Sequence, residues 1–105
     1  MSTSLRKSSH AVFCIHLHIV LVTKYRRKVI TPEILKRLGE IFQDVCNRNN
    51  SRLIEFNGEN DHCHLLVDIA PNNNISVLIK SLKSASSMVI RKEFTSYLKQ
   101  FYWKP

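Results

Sequence analysis

His62 and His64 stand two residues apart in the run Asp61-His62-Cys63-His64-Leu65-Leu66-Val67. In an extended strand alternate side chains share a face, so both imidazoles point one way while Cys63, Leu65 and Val67 point the other. Two neutral imidazoles side by side make part of a shell for a divalent metal and leave positions open for substrate oxygens. The same spacing also arises in a half-buried polar pair that holds no ion, so the pattern marks a candidate site. A zinc centre built from His62, Cys63 and His64 together is disfavoured, because the thiol projects from the opposite face. Cys63 reads as a small buried hydrophobe.

A strand of this kind needs neighbours. From Ala11 to Thr23 the odd positions Phe13, Ile15, Leu17, Ile19 and Leu21 are all apolar, while the even face carries His16 and His18 among Val12, Cys14, Val20 and Val22. That period-two pattern predicts a long central strand with one apolar face. His16 and His18 are expected to flank the open face of the sheet near the His62–His64 pair; a four-histidine site across adjacent strands is a further arrangement. Arg52–Phe56 predicts a second strand. Asn57-Gly58-Glu59-Asn60 is a turn signal, so the His62 strand, running to about Ala70, closes a hairpin.

Thr31-Pro32-Glu33 opens a helix with a threonine cap, proline at the first helical position and an acid in the first turn. Ile34, Leu35, Leu38, Ile41, Phe42, Val45 and Cys46 follow at helical spacing, and Asn47-Arg48-Asn49-Asn50 ends the stripe. Gly39 inside it costs about 1 kcal/mol against alanine, which close packing would explain. After the Pro71–Asn74 break, Asn74 or Ser76 caps a second helix over about 75–91, expected to bury Ile75, Leu78, Ile79, Leu82, Ala85 and Val89. Lys80, Lys83, Ser84, Ser87 and Arg91 lie on another side, a basic and hydroxyl-bearing stripe suited to phosphates. Glu93–Trp103 has helix-like content. The order strand, helix, strand, hairpin strand, helix predicts an α+β chain: a two-layer ferredoxin-like or RRM-like sandwich, its sheet mostly antiparallel, with helices on one face.

The chain has 105 residues and a formal charge of +8, from 16 basic and 8 acidic side chains. That length suits one domain, and such a charge points to an anionic partner, nucleic acid ahead of a membrane surface. Lys24-Tyr25-Arg26-Arg27-Lys28 adds a basic loop with an aromatic in it; such runs commonly serve only solvation, but this one ends a strand beside the candidate site. Residues 1–10 read as a flexible basic tail. Cys14, Cys46 and Cys63 form no C-x-x-C pair, so free thiols in a reducing compartment are expected. The apolar stretch near Ala11–Val22 is broken by His16 and His18 and followed by Lys24, which argues against a membrane span or signal peptide and for a cytoplasmic location.

Three blocks together resemble a known family. His18-Ile19-Val20-Leu21-Val22-Thr23-Lys24-Tyr25-Arg26-Arg27-Lys28-Val29-Ile30 is similar to the first block of the small insertion-sequence transposases that move as single-stranded DNA, the single-tyrosine HUH group. Asp61–Val67 matches the His–hydrophobic–His motif of that group, with Cys63 in the hydrophobic slot. Leu78–Ser87, continuing through Ile90–Phe94, is similar to its basic, serine-rich helix. The resemblance implies a domain over 11–105 in which His62 and His64 hold Mg2+ or Mn2+. It also implies cleavage and rejoining of hairpin or single-stranded transposon-end DNA through a 5′-phosphotyrosine link, and a homodimer with composite sites. Lys24, Tyr25, Arg26, Arg27, Lys80, Lys83, Ser84, Ser87 and Arg91 are the expected DNA contacts.

One departure is large. The family continues beyond the Trp103 position with another strand, a glycine-bearing turn and a tyrosine helix, whereas this sequence ends at Pro105. Tyr97 and Tyr102 come too soon after His64, and neither has a glutamine four residues later. No catalytic tyrosine and no third protein ligand are therefore assigned. The expectation is a form truncated at its C-terminus, with weak or absent cleavage, or a non-catalytic remnant that competes with an intact transposase for DNA ends.

Overall fold

The computed structural model describes residues 15–102; the expected basic tail, the start of the first strand and Trp103 lie outside the described residues. The elements are β1 (Ile15–Val22), a 3-10 turn (Lys24–Arg26), α1 (Pro32–Arg48), β2 (Ser51–Gly58), β3 (His62–Ile69), α2 (Ile75–Glu93) and α3 (Thr95–Tyr102). The strands form a three-stranded sheet in the order β1-β3-β2, and both pairings are antiparallel. The fold is α+β, as the pattern of elements predicts.

The histidine strand, rather than β1, is the centre of the sheet. On its inner face Cys63, Leu65, Val67 and Ile69 are buried, and they meet Ile34, Leu38, Ile41, Phe42, Val45 and Cys46 of α1 and Leu78, Leu82 and Ile90 of α2. Burying a leucine such as Leu65, Leu78 or Leu82 stabilises the chain by about 1.5–3 kcal/mol relative to leaving it exposed. In β1 the odd positions turn inward and the even positions outward, as their chemistry requires. A bulge between Leu53 and Glu55 in β2 lets Leu53 and Phe56 both face inward despite their odd and even numbers. An extra residue in the strand restores the pairing after the slip.

The starts of α1 and α2 are capped by side chains. Thr31 Oγ1 accepts from the Ile34 N–H at 3.1 Å. Asn74 Oδ1 accepts from the Val77 N–H at 3.1 Å, so Asn74 rather than Ser76 is the cap. Gly39 lies against Phe56: a Cβ there would come within 3.2 Å of the ring, which gives the close packing its place in the helix implies.

Four local expectations need correction. Ile75, in the first turn of α2, is exposed, and Ile90 takes the buried place at the other end, because the apolar stripe drifts around the helix over its length. β2 runs from Ser51 to Gly58, longer than the hydrophobic segment alone, because backbone pairing extends past it. β1 stops at Val22 and β3 at Ile69, where pairing ends. The chain uses no positive-φ glycine among the described residues; its left-handed turns fall on Tyr25, Arg26 and Asn50.

Arg37 of α1 forks onto Glu93 at the end of α2, with Nε to Oε1 at 2.8 Å and Nη2 to Oε2 at 2.9 Å. The guanidinium hydrogen bonds hold the Glu93 carboxyl below the usual carboxylate range. A depressed folded-state pKa means that this contribution is present above the ordinary glutamate range and is lost as pH falls through the lowered value. Arg37→Met should move the Glu93 transition upward in a carboxyl NMR titration and make the acid limb of the stability curve less steep. An unchanged Glu93 titration would show that the fork does not persist in solution.

Candidate functional site

The pleat of β3 puts His62 and His64 on the face of the sheet away from the helices, with their ring centroids 5.0 Å apart. His64 is exposed and His62 half-buried. Asp61 receives a hydrogen bond from His62 Nδ1 at 2.7 Å. An ionised carboxylate only accepts, so this contact fixes the proton on Nδ1 and leaves Nε2 as the free lone pair. The bond to His62 is the leading reason that the Asp61 carboxyl sits below the usual range, with the charge of Arg26 adding to it. Arg26 Nη2 lies 3.5 Å from the other Asp61 oxygen. A carboxylate–histidine contact of this kind orients ligating imidazoles. The donor chemistry therefore fits a divalent ion held by His62 and His64, with Asp61 behind His62.

Among the described residues no group of three or more histidines, cysteines and carboxylates could hold an ion. Cys63 points into the core, and burial pushes its thiol up to about 11, which disfavours the thiolate a metal would need. The four-histidine arrangement is not formed. His18 pairs across the sheet with Leu66 and His16 with Asp68, whereas Val20 stands opposite His64. His16 Nδ1 is instead engaged by the Asp68 carboxylate.

The basic residues divide into three places. Lys24, Tyr25 and Arg26 form a tight turn in which Tyr25 and Arg26 have φ of 59° and 52°. Lys24 Nζ and the Arg27 guanidinium lie 5.3 Å and 5.6 Å from the centre of the exposed Tyr25 ring. Arg26 turns to Asp61, and Arg27 donates to the Phe101 carbonyl of α3. Ser87 and Arg91 of α2 line a cleft of about 630 Å³ together with Thr23, Lys24 and Lys99, over an apolar floor that includes Leu21, Phe42 and Cys63. Lys80, Lys83 and Ser84 are exposed farther back along α2. The expected stripe is real, but α2 packs on the opposite side of the sheet from His62 and His64. The Lys24–Arg26 turn reaches both regions, the cleft through Lys24 and Asp61 through Arg26.

Sequence reasoning assigned no role to Asp61, although its position next to His62 was a usable signal. Gly58 was also missed as a site residue. It pairs with Cys63, and a Cβ there would lie 2.7 Å from the His62 carbonyl and 2.9 Å from Cys63 Cβ.

The chain is an α+β domain with a histidine pair on the open face of its sheet, and comparison with known proteins places it in a family. Residues 11–105 match the family model described as IS200-like transposase. The chain is 31% identical to the ISDra2 transposase TnpA of Deinococcus radiodurans, over 94% of this chain and 70% of that one. It is 34% identical to the transposase for insertion sequence element IS200 of Salmonella typhimurium, over 73% of this chain and 51% of that protein. The crystal structure of a transposase-like chain from Deinococcus radiodurans superposes with a TM-score of 0.81 at 31% identity, covering 93% of this chain and 75% of the other. The chain belongs to the IS200-like transposase family. It spans about half the length of the Salmonella relative.

Gly58→Ala should therefore cost about 1–3 kcal/mol through overpacking against the backbone that carries His62. Gly39→Ala meets only the edge of a movable ring, and its helix-propensity gain of about 1 kcal/mol should offset most of the crowding. Urea denaturation of the two variants tests the contrast; equal losses would mean that the hairpin yields freely at Gly58.

Proposed function

We propose that this chain acts in DNA transposition by binding single-stranded or hairpin-forming DNA at insertion-sequence ends and taking part in metal-assisted strand cleavage and transfer. The observation that carries this reading is the His62–His64 pair on one open face, with His62 locked by Asp61, in a member of a transposase family. His62 and His64 would hold Mg2+ or Mn2+, which when bound supplies Lewis acidity toward a phosphate oxygen. Asp61 keeps the proton on His62 Nδ1, so that Nε2 carries the lone pair. Arg26 neutralises Asp61 and brings positive charge to the edge of the face.

Lys24, Arg27, Lys80, Lys83 and Arg91 would neutralise phosphates, Ser84 and Ser87 would donate to phosphate oxygens, and the exposed Tyr25 ring would stack on an unpaired base. Tyr97 lies at a tilt against Phe101, with ring centroids 5.2 Å apart, and packs against the core on the helix side. That places it across the sheet from the histidines, so it is not the attacking group in this reading. The nucleophile would come from another segment or from a second copy in a homodimer. The same placement of Tyr97 favours a second reading, in which these residues bind DNA without cutting it.

Binding to hairpin single-stranded DNA should exceed binding to duplex DNA and should fall steeply with salt. The double variant Lys80→Glu, Lys83→Glu should weaken binding by about tenfold or more and reduce the salt slope by roughly one for each phosphate no longer neutralised. Manganese-dependent nicking that disappears in His62→Ala, His64→Ala would support the cleavage reading. Salt-dependent binding without nicking would leave the binding module, and salt-independent binding would remove both.

A further inference from the structure

The open face carries a second His–apolar–His run, His16-Leu17-His18 on β1, with both imidazoles exposed. His16 repeats the device seen at His62: its Nδ1 is engaged by a carboxylate, here Asp68 on the neighbouring strand. Asp68 is buried, at 7% exposure, and its second oxygen lies 3.7 Å from Arg52 Nη2 on the far strand. A carboxylate held between two strands accepts from His16 Nδ1, so in the neutral imidazole Nε2 carries the lone pair, on a side chain that is exposed. Satisfying Asp68 would by itself account for His16. It does not account for His18, which is exposed beside it with no hydrogen bond or ion pair among the described residues.

We propose that His16 and His18 form a second cation site, with Asp68 as the orienting carboxylate behind His16, for a late first-row divalent transition metal. Two residues apart on a strand, the imidazoles stand about 7 Å apart at the backbone, a span that two side chains converging on one ion can close. Imidazole nitrogens alone, with no substrate oxygens to complete the shell, suit Cu2+, Ni2+ or Zn2+. The site is separate from the first pair. His16 stands opposite Asp68, four residues along β3 from His64, or about 13 Å, whereas a two-metal catalytic centre needs about 3.5–4 Å. The proposal does not depend on the transposition chemistry, because it concerns different ligands and is read by binding alone.

Titration of the full chain carrying His62→Ala and His64→Ala with Zn2+ or Ni2+ by calorimetry should still show one bound ion. Adding His16→Ala and His18→Ala should abolish it, and Asp68→Asn should weaken it by about 10–100-fold. A His62/His64 variant that binds no ion, or binding that survives loss of His16 and His18, would overturn the site; an Asp68→Asn variant of unchanged affinity would overturn the role given to the carboxylate. Should circular dichroism show a variant unfolded, the unmutated chain decides. Substoichiometric Cu2+ should then broaden the imidazole NMR signals of His16 and His18 as well as those of His62 and His64. Broadening confined to His62 and His64 would end the proposal.

Discussion

The pleat of one central strand governs the molecule. β3 is paired on both sides, so its backbone polar groups are satisfied and its register is fixed by two neighbours. Cys63, Leu65, Val67 and Ile69 are drawn inward by the hydrophobic effect, and alternation then leaves His62 and His64 no choice of face. A slip of one residue would bury both imidazoles and expose four core side chains. At about 1.5–3 kcal/mol for a fully buried aliphatic residue, that alternative is out of reach for a domain of ordinary stability. The position of the site thus follows from the core, and the site contributes little to holding it in place.

The turn after β1 shows the reverse balance. Two consecutive non-glycine residues, Tyr25 and Arg26, occupy the left-handed region, at a cost of about 1–3 kcal/mol each. The flanks hold them there. The Thr23 N–H donates to the Asp61 carbonyl at 3.0 Å and the Ile30 N–H to the Asn60 carbonyl at 2.9 Å. Thr23 Oγ1 donates to the Arg27 carbonyl at 2.6 Å. Three cations and an exposed aromatic are thereby fixed beside the hairpin that begins the histidine strand. Strain of this kind persists because its surroundings over-determine it.

Features that depend on neighbours in sequence were legible in the chain. The capped start at Thr31, the buried stripe of α1, the alternation of β1 and the shared face of His62 and His64 all follow from local chemistry and one periodicity. Features that require two strands at once were not. The contact of His16 with Asp68 depends on the β1–β3 register, which no single strand encodes, and the bulge at Leu53/Glu55 appears only when β2 is laid against its partner. The basic stripe of α2 was readable as a stripe, and the alternation of the strands already set the helices on the apolar face, away from the histidines. Ile75 was misplaced because a stripe read at constant spacing ignores its drift along a long helix.

That separation between stripe and histidines has a geometric consequence. The sheet and its core stand between α2 and the open face, so one stretch of extended backbone cannot lie flat against Lys80, Lys83 and His64 together. Positive charge passes from one side to the other at the end of β1, where Lys24 lines the cleft with Ser87 and Arg91 and Arg26 reaches Asp61. Arg27 anchors the same turn to the Phe101 carbonyl, tying its position to α3. The turn is therefore coupled to three elements, β1, the β2–β3 hairpin and α3. A polyanion gripped by the helices on one side and presented to the histidines on the other would have to pass around this corner, and the hydrogen bonds of Thr23 and Ile30 keep the corner in shape against the strain at Tyr25 and Arg26.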